Sequence, residues 1–96
     1  MDVLVAYDVN TESKEGRRRL RKVAMVCKDF GQRVQYSVFE CRVNEAQLES
    51  LRSRLLKVIN EDEDSLRIYR LHPPREKNIE SYGQDNYVSY DDPLIY

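Results

Sequence analysis

The stretch that decides the fold is Val3-Leu4-Val5-Ala6-Tyr7-Asp8-Val9, in which five apolar or aromatic residues run directly into one carboxylate. A short apolar run of this length is typical of a strand that is buried on both faces. Asp8 then lies at the C-terminal end of the strand, where a rigid element can hold a reactive group at the rim of a sheet. The simpler interpretation is an aspartate that only begins the next turn, because Asp is common in turns.

The composition of the chain describes one small domain with a well-solvated surface. It has 96 residues, of which 41% are hydrophobic and 34% are charged. The formal net charge is −1, so binding to nucleic acid has to come from a local basic patch. No apolar run approaches the ~20 residues that a membrane span requires, and the first residues lack a signal-peptide pattern. We therefore expect a cytoplasmic protein without membrane contact.

The residues that commonly bind metals do not form a recognisable ligand set. Cys27 and Cys41 lie in different predicted elements, without the spacing of a zinc site, and are expected to be buried free thiols. The acidic segment 60–64 lacks the spacing and the turn glycine of an EF-hand, so a solvated turn is predicted. His72 is the only histidine, and its place beside two prolines indicates a surface residue.

A helical pattern follows the first strand after a loop, residues 10–16, that ends at Gly16. Its apolar residues have the spacing of one buried stripe: Leu20, Val23, Ala24, Cys27 and Phe30. Gly31 is predicted to stop the helix. The polar side is basic, with Arg17, Arg21 and Lys28 on one flank and Arg19 at the opposite border of the stripe. That flank can neutralise phosphates without reading sequence, although a solvated helix face is the alternative.

Residues 32–43 contain two strands rather than one. Val34 and Tyr36 share one face of a pleated strand, whereas Phe39, Cys41 and Val43 share a face with the opposite parity. One continuous strand cannot turn both sets inward, so we predict strands over about 32–36 and 38–43 that meet at a bulge or sharp turn near Ser37-Val38.

The remaining pattern completes a split βαβ arrangement. Asn44 is a good N-cap, with Gln47 at the third position of the helix, and a buried stripe follows: Leu48, Leu51, Leu55, Val58 and Ile59. Residues 65–71 alternate as a strand. The order predicts an α+β, ferredoxin-like βαββαβ fold with an antiparallel sheet and both helices on one face. Because the first strand is apolar on both faces, we expect a second copy to cover the other face in a sheet-to-sheet homodimer.

The last residues change in character. We divide the chain into a ferredoxin-like domain, residues 1–74, and a C-terminal extension, residues 75–96. The extension is polar until Pro93-Leu94-Ile95-Tyr96. This apolar end is predicted to be an additional edge strand that completes the dimer, whereas a disordered terminus is the alternative.

Three segments resemble the signatures of the small CRISPR-associated Cas2 family. They are Val5-Ala6-Tyr7-Asp8-Val9, the segment 31–41 (GQRVQYSVFEC) and the segment 64–71 (DSLRIYRL). The end of the chain, Asp92-Pro93-Leu94-Ile95, is similar to tails in the branch that accompanies subtype I-C systems. The resemblance covers nearly the whole chain in the order and at the spacing of the family.

The resemblance implies a ferredoxin-like homodimer that takes part in CRISPR adaptation, the acquisition of new spacers. In that family the dimer is clamped by the integrase Cas1 and double-stranded DNA lies across the assembly. Members are also described as Mg²⁺-dependent (or Mn²⁺-dependent) endonucleases that act on single-stranded RNA or on double-stranded DNA. Asp8 matches the metal ligand of the family. Six further residues fall on positions associated with the active region: Tyr7, Arg19, Arg21, Arg33, Ser37 and Phe39. The resemblance implies that Tyr7 is catalytic together with Asp8 and that the other five bind nucleic acid.

The residues themselves leave three classes of function open. For a metal-dependent nuclease one carboxylate is a sparse site, and two copies of Asp8 across a two-fold axis would provide a better one for Mg²⁺. A structural adaptor would bind DNA and the integrase without cleavage. A regulatory domain for a small ligand is the third class, but no glycine-rich loop is present. Tyr36 and Phe39 can stack on bases, although Phe39 also fits the core.

Overall fold

The computed structural model describes residues 1–83 as a four-stranded antiparallel sheet with two long helices and one short helix. The elements run β1 (Asp2–Asp8), α1 (Lys14–Lys28), β2 (Gly31–Gln35), β3 (Val38–Arg42), α2 (Glu45–Val58), β4 (Ser65–Leu71) and α3 (Arg75–Asn78). The strand order is β2-β3-β1-β4, and each neighbouring pair is antiparallel. The predicted ferredoxin-like fold is therefore confirmed. The predicted terminal strand at 93–96 lies outside the described residues.

The core forms between the two long helices and one face of the sheet. Alternate residues of β1 point to this helix-covered face, and Val3, Val5 and Tyr7 are buried there. The other residues of β1, Leu4 and Ala6, are only half-buried within one chain. The expectation that β1 is buried on both faces is therefore met on one face only. We call the other face, opposite α1 and α2, the open face.

Both long helices pack the predicted stripes against the core, although about half of the stripe residues are only partly buried. In α1 the stripe residues Val23 and Cys27 are buried, and in α2 the buried residues are Leu48, Leu51 and Leu55. The predicted cap of α2 is a full capping box. The Asn44 side chain accepts the main-chain N–H of Gln47 at 2.8 Å, and Gln47 Oε1 accepts that of Asn44 at 2.9 Å.

Two glycines have roles other than those predicted. The helix α1 begins at Lys14 with Ser13 as its cap, so Gly16 lies in its first turn rather than at the end of a loop. A Cβ on Gly16 would lie 1.8 Å from the Asn10 carbonyl oxygen. Gly31 does not stop the helix, which ends with Asp29 as its C-cap. It begins β2, where a Cβ would lie 2.2 Å from the Glu40 carbonyl oxygen, so the close approach of β2 to β3 requires glycine.

The parity conflict in residues 32–43 is resolved by a tight hairpin. Tyr36 and Ser37 form the turn between β2 and β3, as expected near Ser37-Val38. A shift of register between Arg33 and Gln35 adds a bulge that the sequence did not locate. The strands begin and end one residue earlier than predicted, except that β3 begins at Val38.

The chain that follows β4 returns to the open face. The Arg75 guanidinium of α3 binds the Glu40 carboxylate, with 2.7 Å between Arg75 Nε and Glu40 Oε1, and Glu40 lies on the open face opposite Leu4. The first residues of the predicted extension are thus tied to the sheet. No helix within residues 1–83 is both long and apolar enough to cross a membrane.

Candidate active site and nucleic-acid surface

Asp8 lies at the rim of the sheet as an exposed carboxylate. It is the last residue of β1, directly opposite Ser65 of β4. Its side chain makes no hydrogen bond or ion pair with any other described residue. Because alternate residues of a strand point to opposite faces, Asp8 belongs to the open face together with Leu4 and Ala6. The carboxylate is therefore available to a cation or a ligand on that side.

Tyr7, the other predicted catalytic residue, points to the opposite face. Its ring is 5% exposed, and its hydroxyl donates to the Tyr36 carbonyl oxygen at 3.3 Å. Burial raises the pKa of Tyr7, although the nearby Arg33 guanidinium acts in the opposite direction. The strand thus separates the two predicted catalytic side chains. Tyr7 supports the hairpin beside the rim, since its main-chain N–H also donates to the Ser37 carbonyl oxygen at 3.1 Å.

Arg33 is exposed and lies over an aromatic ring at the same end of the sheet. Its guanidinium carbon lies 5.1 Å from the ring centroid of Phe39, in a cation–π arrangement. The Phe39 ring is fully buried and lies 6.3 Å from the Tyr7 ring. This burial favours the core packing that the sequence allowed for Phe39, and its predicted contact with nucleic acid stays a prediction. Tyr36, at the hairpin, is 92% exposed and keeps the stacking role open.

The basic flank of α1 is exposed but is not concentrated at one point. Arg17 and Arg21 lie in the first half of the helix, and Arg17 Nη1 donates to the Thr11 carbonyl oxygen at 3.2 Å. The helix starts at the rim near Asp8 and runs away from it. Lys28 is its last residue and lies roughly 21 Å along the axis from Lys14. Arg17 and Arg21 are thus closer to the rim than Lys28.

Arg19 has a structural partner instead of a free guanidinium. Its Nε and Nη2 bind the two Asp64 oxygens at 2.8 and 3.2 Å. The Asp64 side chain is 0% exposed and also accepts the main-chain N–H groups of Asn10 and Asn60, at 3.0 and 2.9 Å. Arg19 therefore ties α1 to the loop that follows Asp8. Its predicted role in nucleic-acid binding stays a prediction, and this geometry favours a structural role.

The prediction of a solvated acidic turn is wrong for Asp64. Burial alone raises the pKa of a carboxyl group, but the Arg19 guanidinium and the two N–H donors outweigh burial and lower the pKa of Asp64. The sequence does not indicate this role, because Arg19 and Asn10, two of the three partners of Asp64, are far away along the chain. Only the register of β4 against β1 places Asp64 beside the β1–α1 loop.

The donor set around Asp8 fits a magnesium ion only as a sparse site. Within residues 1–83 no three His, Cys, Asp or Glu side chains are grouped closely enough to hold a metal ion. Mg²⁺ accepts one or two carboxylates and keeps several water ligands. A single exposed and unpaired carboxylate satisfies that requirement, and a second copy of Asp8 would strengthen it.

The fold and this rim define a class of small ferredoxin-like domains with one carboxylate at the end of the first strand and arginines around it. A family model described as CRISPR associated protein Cas2 matches residues 1–79. The chain belongs to the Cas2 family.

Proteins that carry the Cas2 name are similar to most or all of this chain. The CRISPR-associated endoribonuclease Cas2 1 of Moorella thermoacetica is 60% identical over 95 residues, which are 99% of each chain. The CRISPR-associated endonuclease Cas2 of Halalkalibacterium halodurans is 50% identical over all of both chains. A crystal structure of Streptococcus pyogenes Cas2 at pH 6.5 is similar with a TM-score of 0.78 and 51% identity, covering 86% of this chain and 100% of that chain.

Proposed function

We propose that this chain is an endonuclease that cleaves phosphodiester bonds of RNA or double-stranded DNA with a divalent cation held at Asp8. The observation that carries the proposal is an exposed Asp8 carboxylate without a partner among the described residues, at the rim of the sheet. The endonuclease and endoribonuclease names of its relatives support this reaction class.

The carboxylate and the arginines would have separate roles in cleavage. Asp8 would hold Mg²⁺, or another divalent cation such as Mn²⁺, which when bound can activate water and neutralise phosphate charge. Arg17 and Arg21 would neutralise neighbouring phosphates, since neither side chain has a carboxylate partner within residues 1–83. Arg33, fixed over Phe39, is a further cation at the same end of the sheet, but it lies on the helix-covered face, whereas Asp8 lies on the open face.

We further propose that two copies pair through their open faces and work with the integrase Cas1 in CRISPR adaptation, in the cytoplasm. Family membership supports this role. The half-buried Leu4 and Ala6 on the open face support the pairing, because a second sheet would bury them.

The decisive substitution is Asp8→Asn, which keeps the shape of the side chain and removes its charge. We expect Mg²⁺-dependent cleavage of RNA and duplex DNA to be lost with little change in melting temperature, because the Asp8 side chain has no partner among the described residues. Asp62→Asn, at an exposed acid in the turn before β4, is the matched control and should cleave normally. Equal cleavage by the Asp8 variant and the wild type would end the nuclease proposal.

The second candidate is a non-catalytic adaptor that binds DNA and bridges integrase dimers. The sparse donor set favours it, since one carboxylate is a weak basis for hydrolysis. The two functions separate in a spacer-acquisition assay with Asp8→Asn. Acquisition that survives the loss of cleavage would identify the adaptor as the cellular role.

A further inference from the structure

The arginines of residues 1–83 fall into two groups, according to whether a carboxylate binds them. Six have an acidic partner: Arg19, Arg42, Arg52, Arg54, Arg70 and Arg75. Five have no acidic partner among the described residues: Arg17, Arg18, Arg21, Arg33 and Arg67. Four members of the second group belong to α1 or β2, and three of these, Arg17, Arg21 and Arg33, are the candidates for phosphate binding described above. The fifth, Arg67, lies on β4.

The register of the sheet places Arg67 on the open face beside Asp8. Arg67 lies directly opposite Ala6, and Asp8 lies directly opposite Ser65, so Arg67 and Asp8 are diagonal neighbours on one face. Diagonal neighbours in an antiparallel pair have Cα atoms about 7–8 Å apart, within reach of a long side chain. Asp8 and Arg67 nevertheless form no ion pair within the described chain.

Tyr69 explains why the two opposite charges stay apart. It is the next residue of β4 on the same face, and its hydroxyl oxygen accepts a hydrogen bond from Arg67 Nη1 at 3.0 Å. The bond directs the guanidinium along β4, away from the rim. It leaves the Asp8 carboxylate free for a cation and leaves the other N–H donors of Arg67 free for a ligand, because a guanidinium has five.

We propose that Arg67 is a phosphate-binding residue of the Asp8 site and that Tyr69 is the positioning residue that holds it there. This inference rests on the proposed function. A phosphodiester whose one oxygen approaches a cation on Asp8 can present another oxygen to the Arg67 guanidinium, since both groups lie on the open face. The ligand is the sugar–phosphate backbone, which RNA and DNA share.

The same strand provides a matched control. Arg70 carries the same charge on β4 but points to the helix-covered face, where its Nη1 binds Glu45 Oε1 at 2.8 Å. Arg67→Ala and Arg70→Ala therefore change the net charge equally but on opposite faces, and only Arg70→Ala also removes an ion pair. A melting curve of each variant verifies that it is folded.

The binding experiment uses labelled duplex DNA and labelled single-stranded RNA in the Asp8→Asn background, so that cleavage cannot interfere. We expect Arg67→Ala to weaken binding about tenfold, as for one charge-assisted hydrogen bond. The slope of log affinity against log salt should fall by about 0.9 on duplex DNA or about 0.7 on a single strand. Arg70→Ala should leave both quantities unchanged. A loss with one probe alone identifies which nucleic acid the site takes.

Equal losses of affinity from Arg67→Ala and Arg70→Ala would overturn the proposal, because they would show that binding depends only on the overall charge. It would also be overturned if Arg67→Ala weakened self-association in sedimentation and left binding at saturating dimer unchanged. Since binding is measured without cleavage, this result does not depend on whether the wild type is a nuclease.

Tyr69→Phe tests the positioning role in the otherwise wild-type chain. Without the hydroxyl oxygen, the Arg67 guanidinium is free to reach Asp8 and compete with the cation. We expect the Mg²⁺ concentration for half-maximal cleavage to rise severalfold, with the maximal rate at saturating Mg²⁺ retained. The double variant Tyr69→Phe with Arg67→Ala should regain the wild-type Mg²⁺ requirement. An unchanged Mg²⁺ requirement in Tyr69→Phe would remove Tyr69 from the site.

Discussion

At the scale of single residues, Asp64 shows how a residue outside the reactive site can determine the shape of its rim. Three groups converge on its buried carboxylate: the Arg19 guanidinium and the main-chain N–H groups of Asn10 and Asn60. Asn10 lies two residues after Asp8. The network therefore fixes the loop that leaves the rim.

We expect Asp64→Asn to lower the free energy of unfolding at pH 7 by about 1–3 kcal/mol, the cost of leaving one partly buried donor unpaired. The pKa of Asp64 is lowered in the folded state, so its stabilising effect is present above the unfolded pKa of about 3.9. The effect is lost as the pH falls from there through the lower folded pKa. The difference in melting temperature between wild type and variant should therefore shrink below about pH 4.

Melting curves followed by circular dichroism at stepwise lower pH measure this difference. Asp62→Asn, in the same turn but exposed, is the control and should melt like the wild type at each pH. A constant gap between Asp64→Asn and the wild type down to low pH would show that the charge of Asp64 is not what stabilises the loop.

At the scale of elements, the sequence predicted where the helices and strands lie better than it predicted how they contact one another. The Asn44–Gln47 capping box, the apolar stripes and the alternation of residues 65–71 depend on neighbours in sequence, and each was confirmed. The bulge between Arg33 and Gln35 and the role of Gly31 depend on the partner strand, which periodicity does not identify.

The candidate site shows the same difference between local features, which the sequence predicts, and contacts between distant residues, which it does not. Asp8 at a strand end could be predicted from the order of residues, because a strand end is a local feature. The pairing of Arg19 with Asp64 and the neighbourhood of Asp8 and Arg67 could not, because both follow from the register of β4 against β1. The sequence allows both base stacking and core packing for Phe39, and its burial, which depends on the partner strands, favours the core.

The capping box of α2 provides a test at this scale. Asn44→Ala removes the acceptor for the Gln47 N–H and should cost about 1 kcal/mol of stability. For a domain of this size, that corresponds to a melting temperature roughly 4–8 °C lower. Asn44→Ser keeps a capping oxygen and should restore most of the loss in the same thermal scan. If the alanine and serine variants melt together, the cap does not stabilise α2.

At the scale of the whole molecule, the open face decides whether the chain acts alone or in pairs. α3 reaches one part of this face through the ion pair of Arg75 with Glu40, while Leu4 and Ala6 remain half-buried. Full burial of a leucine contributes roughly 1.5–3 kcal/mol. A symmetric pair would gain this contribution twice.

We expect Leu4→Lys to weaken self-association about 100-fold or more, because it places two charges in the proposed interface. Sedimentation across a dilution series measures the dissociation constant. Leu56→Lys makes the same change at an exposed leucine of α2, on the opposite side of the sheet, and should associate normally. Unchanged association of the Leu4 variant would place the contact between copies elsewhere.

Because both cysteines are buried, the folded chain should react very slowly with thiol reagents. Cys27 and Cys41 are buried, and burial raises the pKa of both thiols to about 12, so very little reactive thiolate exists at neutral pH. Tyr36 lies on the hairpin and is 92% exposed. In the Tyr36→Cys variant a thiol-reactive fluorophore would therefore label only this position of the native protein. Such a label would report the arrival of nucleic acid at the rim in real time, with the wild-type thiols as a silent background.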